Sequence, residues 1–171
     1  MKLDQAASKR ENAMSALLEE AHITVEELLD RRHRLKTHED RVQHALDLVR
    51  MHFEAENPER IDECIRLYTD DAEWAAPARG VNYKGPQKIK EMYLRLFASS
   101  HEFSWTPIER WATPEHVFDD SIFAFQLIGD GFENAPLPAG TRVRIRLVHN
   151  FQIRDGLISK EIGYEIWKRD E

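Results

Sequence analysis

The stretch Val148–Trp167, VHNFQIRDGLISKEIGYEIW, decides the fold of this chain. Asp155-Gly156 stands between two runs of alternating apolar and polar residues, the strongest short-range signal for a two-residue β-hairpin. A tight turn there sets a register in which Ile153 faces Ile158, Phe151 faces Lys160, His149 faces Ile162, Leu147 faces Tyr164 and Ile145 faces Ile166. Side chains alternate with period two, so these residues share one side of the sheet, which reads as apolar and inward. The other side sets Arg144 opposite Trp167, Arg146 opposite Glu165 and Asn150 opposite Glu161, a charged ladder facing outward. The polar exceptions on the inward face are His149, Tyr164 and Lys160. Lys160 lies near the turn, where its stem reaches water.

Working outward, TRVRIRLVHNFQI and LISKEIGYEIW are preceded by two more strands, HEFSWTPIERW and HVFDDSIFAFQLIG, joined through a Thr113-Pro114-Glu115 turn. A Gly/Pro-rich loop, DGFENAPLPAG, leads from the second of these into the hairpin. Upstream, AEWAAP (72–77) reads as a short strand stopped by Pro77. Gly80 and Gly85-Pro86 bracket a turn, and Pro86 opens a helix whose apolar face is Ile89, Met92, Tyr93, Leu96 and Phe97. The first 56 residues read as helix. Thr24 with Glu27 has capping-box spacing, and Thr37 with Asp40 repeats it in weaker form. Val42, Ala45, Leu48, Val49, His52 and Phe53 then recur at helical spacing. Asn57-Pro58 starts a short helix with the stripe Ile61, Cys64, Ile65, Leu67 and Tyr68. This order predicts an α+β layer with helices on one face of a curved antiparallel sheet. It divides the chain into a helical extension over 1–36 and a domain over 37–171.

Composition narrows the function classes. With 42% hydrophobic and 32% charged residues in 171, the chain reads as one globular domain with a polar helical appendage. No apolar run approaches a membrane span, and MKLDQAASKRENAM has no signal-peptide core, so a cytoplasmic address and no membrane partner are expected. The lone Cys64 excludes an internal disulfide and a cysteine-based zinc site. A formal charge of −7 argues against a nucleic-acid partner. The row Arg142, Arg144, Arg146 and Arg154 reads as a salt-bridged sheet face, neutralised by Glu161 and Glu165. EEAHITVEELLDRR is too acidic for a DNA-reading helix pair and reads as a packing arm. Among eight histidines, His33 with His38 and His44 with His52 lack a third ligand and sit in solvent-facing helix contexts, so no metal is expected. ARGVNYKG lacks the Lys-Ser/Thr ending of a phosphate loop.

Three segments, LYTDDAEW, YKGPQKI and VHNFQIRDGLI, in this order, resemble the nuclear transport factor 2-like superfamily and within it the SnoaL-like polyketide cyclase group, over roughly residues 40–168. That resemblance implies a cone-shaped, strongly curved sheet packed against three helices, with a pocket between them. Proteins of this fold include ketosteroid isomerases, dehydratases, epoxide hydrolases, dehydrochlorinases, polyketide cyclases and members without catalysis, so the fold implies no single reaction. Carried over residue by residue, the isomerase base falls on Ala76 before Pro77 and is absent. Similarity to a dehydrochlorinase makes Trp74 a pocket wall, puts that enzyme's catalytic Asp at Asn57, which serves better as a helix cap, and makes His101 the nearest counterpart of its His. The last-strand carboxylate of several branches falls on Gly163, between Glu161 and Glu165. A glycine inside a strand marks a bulge, and a bulge there would turn Glu165 inward.

The resulting expectation is a small apolar or aromatic ligand in a pocket between sheet and helices, and cofactor-independent acid/base chemistry of the lyase, dehydratase, cyclase or isomerase kind. His149 is the expected acid or base, Tyr164 the donor to a developing oxyanion, and His101 a second acid/base candidate. Trp74, Trp105 and Phe125 are expected walls, with Glu165 a further binding residue. A non-catalytic ligand-binding or assembly domain is the alternative, in which His149 is a core histidine satisfied by a backbone carbonyl. Both faces of 122–128 are apolar, and in this fold a second subunit covers the outer one, so a homodimer is expected.

Overall fold

A computed structural model describes residues 23–170; residues 1–22 of the expected helical extension lie outside them. Helix α1 (Val25–Arg31) starts at Thr24, whose hydroxyl accepts from the Glu27 N–H while the Glu27 carboxylate accepts from the Thr24 N–H. Thr37 and Asp40 cap α2 (His38–Ala55) in the same way. Val25 and Leu28 are buried in the main core, so α1 packs on the domain although it precedes residue 37. Along α2 the buried stripe holds Ala45, Leu48 and Val49, and also His44 and His52, which are corrected here from solvent-facing to buried. Asn57 caps the turn into α3 (Ile61–Ile65), its side-chain oxygen accepting from the N–H groups of Glu59 and Arg60.

Strand β1 (Tyr68–Ala76) is longer than AEWAAP, and β2 (Val81–Lys84), expected as part of a turn, pairs antiparallel with it. Helix α4 (Pro86–Ala98) follows, then β3 (Ser100–Ala112), β4 (His116–Leu127), β5 (Arg142–Arg154) and β6 (Leu157–Arg169). The order in the sheet is β2-β1-β6-β5-β4-β3. All neighbours are antiparallel except β1 and β6, which run parallel, so the curved open sheet is mixed. No helix among the described residues is long and apolar enough to cross a membrane.

The hairpin forms where expected. Asp155 and Gly156 both have positive φ, 53° and 71°, as a type I′ turn requires. Ile153 faces Ile158, but Ser159 then enters as an extra residue, and Gln152 pairs with Lys160. From there Phe151 faces Glu161, His149 faces Gly163, Leu147 faces Glu165 and Ile145 faces Trp167. A shift of one residue exchanges the two faces of a strand. The bulge is at Ser159 rather than Gly163, and it corrects the register of all of β6 beyond it. Tyr164 and Ile166 go outward, where they are 49% and 60% exposed, while Glu161 and Glu165 come inward. Arg146, deprived of Glu165, pairs with Asp120 of β4 instead.

Candidate functional site

A cavity of about 510 Å³ lies between the inner face of the sheet and helices α2 and α4. Its walls are mainly aromatic: Phe53 comes from α2, Tyr93 and Phe97 from α4, and Trp74, Trp105 and Phe123 from the sheet. Polar side chains gather at its inner end around Glu161, which is 1% exposed. The Tyr68 hydroxyl donates to Glu161 Oε2, and the Tyr93 hydroxyl lies 3.1 and 3.2 Å from the two carboxylate oxygens. His149 Nε2 is 3.6 Å from Oε1, and His52 Nε2 is 3.6 Å from Oε2. Each group arrives from a different element: α2, β1, α4, β5 and β6 converge on one carboxylate.

Burial, and after it the Glu161 charge, push the Tyr68 and Tyr93 hydroxyls well above the usual phenol range, so both stay protonated donors. Burial opposes the charged form of His52, yet Cys64, Glu161 and Glu56 outweigh it and raise the imidazole well above its ordinary value. Burial also raises the Cys64 thiol, 3.2 Å from His52 Nδ1. Glu56 lies 3.3 Å from Nε2 of the same ring.

Behind His149 stands a second carboxylate. Asp119 lies directly across from it on β4, with Oδ2 3.9 Å from Nδ1. Neither of these two buried atoms has a hydrogen-bond partner among the described residues. Burial opposes ionisation of Asp119, but His149 and Arg110 beside it prevail and hold its carboxyl below the ordinary range. Arg110 donates to its other oxygen at 2.7 Å and lies over the Phe53 ring, 5.0 Å from its centroid. The His149 ring stacks on Trp105 at 6.2 Å. His149 therefore sits between two carboxylates with one ring edge toward each, and the one at Nε2 accepts from two phenols.

Of the residues singled out in the sequence, His149, Trp74, Trp105 and Glu165 line the cavity. Phe125 is fully buried behind it, packed on Phe132 and Trp167. His101 is half-exposed near the start of β3, next to Glu102, and Tyr164 is on the outer face; neither meets His149 in the cavity. The sequence reading did not find Glu161, Tyr93, Tyr68 or Asp119. Tyr68 and Tyr93 were visible as hydroxyls on buried stripes, which need partners. Asp119 was visible as a carboxylate on the apolar parity of β4. Glu161 carried no such signal, because the bulge decides its side.

A model of the SnoaL-like domain matches residues 49–161. The chain belongs to the SnoaL-like family. No curated protein matches it by sequence. Among solved structures, an NTF2-like protein from Burkholderia xenovorans is 15% identical with a TM-score of 0.61, over 73% of this chain and 91% of that one. An LEH-like epoxide hydrolase from Mycobacterium tuberculosis is 17% identical with a TM-score of 0.57, over 73% and 84%. A second protein of that organism, in complex with estradiol-17β-hemisuccinate, is 17% identical with a TM-score of 0.55, over 71% and 92%. At these identities the likeness is one of fold, the SnoaL-like α+β layer whose family includes cyclases, isomerases and epoxide hydrolases.

Proposed function

We propose that this SnoaL-like chain is an acid/base enzyme of the lyase, dehydratase, cyclase or isomerase kind, acting on a small apolar or aromatic molecule without metal or organic cofactor. The observation that carries this reading is the buried Glu161 at the inner end of an aromatic cavity, with two phenol donors on it and His149 3.6 Å away. His149 Nε2 takes or returns the substrate proton, with Glu161 and Asp119 on either side of the ring. Asp119 faces Nδ1, so it orients the ring and gains a hydrogen bond as the ring is charged. Tyr93, which lines the cavity, takes the role first expected of Tyr164: its one hydroxyl proton turns from Glu161, which keeps the Tyr68 donor, to the substrate oxygen on which negative charge builds. The aromatic walls exclude water, which strengthens each of these interactions. The steroid skeleton of the hemisuccinate bound by the fold relative from Mycobacterium tuberculosis supports a ring-bearing ligand.

The α-protons of a ketone provide a test that needs no knowledge of the natural substrate. In D₂O the wild-type protein should accelerate deuterium exchange into α-tetralone, followed by proton NMR. His149→Gln should slow that exchange about 10²–10⁴-fold, and Tyr93→Phe about 10²-fold. Exchange no faster than in buffer, with the ketone demonstrably bound, would leave the ligand-binding reading in its place.

A further inference from the structure

The acid/base reading gives no role to the ion pair between Arg79 and Glu165, yet both line the cavity. Their side chains are 2% and 6% exposed. Arg79 Nε donates to Glu165 Oε2 at 2.9 Å and Nη2 to Oε1 at 3.2 Å, a fork-to-fork contact. Its Nη1 donates to the Glu133 carbonyl at 2.9 Å, and Trp167 Nε1 adds a donor to Glu165 Oε2 at 2.8 Å. The guanidinium lies 5.7 Å from the Trp74 ring centroid and 5.8 Å from that of Phe132. A buried pair of this kind is a poor stability device, since apolar side chains of similar volume usually serve as well or better. Its presence in a wall that is otherwise mostly apolar therefore calls for a reason connected with the ligand.

That reason is charge. Apart from His149, Arg79 is the only basic side chain among the described residues that line the cavity, whereas Glu54, Glu56, Glu161 and Glu165 all do. The geometry points to Glu165 as a specificity-determining residue. By filling the fork of Arg79 it denies a carboxylate ligand its guanidinium, so that the cavity selects neutral ring compounds carrying a carbonyl or hydroxyl oxygen. An anion entering the cavity loses its water beside Glu161 with no cation free to meet it, while a neutral ketone does not. This deepens the reading of the cavity as a substrate site, and it stands independently of whether that site is catalytic.

Isothermal titration calorimetry with two probes of one skeleton, α-tetralone and tetralin carboxylate, tests it. The wild-type protein should bind the ketone, and the carboxylate at least about tenfold more weakly. Glu165→Gln should tighten carboxylate binding about tenfold or more while leaving the ketone within about threefold. Adding Arg79→Met should abolish that gain, which a merely structural role for the pair does not predict. Glu165→Asp keeps the charge and shortens the reach, and should give a smaller gain of about threefold even if the glutamine variant fails to fold. Equal binding of both probes by wild type, no binding of either, or no gain in the Glu165 variants would overturn the proposal. These are equilibrium affinities, so their failure is separate from a failure of His149 to exchange protons.

Discussion

On β4 the side chains of Val117, Asp119, Ser121 and Phe123 follow one another at alternate positions, and Asp119 is a charge where the alternation calls for an apolar residue. What keeps it ionised is not solvent: the side chain is 1% exposed, and Arg110 and His149 outweigh the cost of burial. Its folded-state pKa is depressed, so its contribution to stability is present above the ordinary value of 3.8 and is lost as pH falls through the lower folded value. Asp119→Asn should therefore lower stability at pH 7 by about 1.5–3 kcal/mol, with the deficit shrinking as the pH drops below 3.8. Urea melts across that range check this. An asparagine variant as stable as wild type at pH 7 would remove the charge from the account, and with it the argument that Asp119 holds the His149 ring. At this scale the sequence was legible where residue type and parity agreed, as for His149 on β5, whereas Trp74 as a wall came from the family resemblance. It was illegible for Glu161, whose side depends on a bulge.

The element that carries most of this is the β5–β6 hairpin. Its turn was readable because Asp-Gly supplies two positive φ angles at low cost. The turn is also held from outside. Nε2 of His44, on α2, lies 2.9 Å from the Gly156 carbonyl, and Arg32 donates to the Asp155 carbonyl. The bland fate first weighed for His149, a core histidine satisfied by a backbone carbonyl, thus belongs to His44. Burial lowers the pKa of that ring, partly offset by its bond to Gly156, so the neutral form that fits the turn prevails. A Cβ on Gly156 would lie 2.6 Å from Arg32 Cβ and 3.1 Å from His44 Nε2, at a φ of +71°. Gly156→Ala should cost at least about 1–2 kcal/mol from conformation alone, read as a fall in Tm. An unchanged Tm would mean that neither the positive φ nor the approach of Arg32 and His44 constrains the turn. The bulge at Ser159, three residues past Gly156, escaped the sequence because alternation in ISKEIGYEIW sets Ile158, Ile162, Tyr164 and Ile166 on one parity and only Trp167 on the other, which favours the unbulged register over the observed one. Contacts remote in sequence choose between them: Tyr68 and Tyr93 receive Glu161, and Gly163 leaves space beside Leu147, whose Cδ1 would stand 3.4 Å from an added Cβ.

At the scale of the molecule, the same bulge that fills the cavity with carboxylates loads the opposite face of the sheet with apolar side chains. Register puts Trp111 and Phe118 beside Ile162, Asp120 and Val148 beside Tyr164, and Ile122 and Arg146 beside Ile166, all facing away from the helices. Trp111, Tyr164 and Ile166 are 50%, 49% and 60% exposed. Scattered exposed apolar residues need no explanation, but a contiguous set across four strands does. The Arg146–Asp120 pair near its centre leaves no net charge to be buried there. A second copy of the chain, docked sheet to sheet about a two-fold axis, would cover this face with the same residues. The expectation of a homodimer from 122–128 is kept as a proposal, with a changed set of residues: Ile122 faces out, Phe123 lines the cavity, and the exposed area moves toward β6. Sedimentation at micromolar concentration should show a species of twice the 20.1 kDa chain mass. Ile166→Lys puts an ammonium next to Arg146 in the middle of that contact, and should dissociate the dimer while leaving a folded monomer, since an unpaired buried charge at an interface is strongly unfavourable. The residue is 60% exposed in the monomer, so loss of fold is not the expected result. A wild-type chain that sediments at the monomer mass, or a lysine variant that remains dimeric, would assign the outer face to something other than self-association.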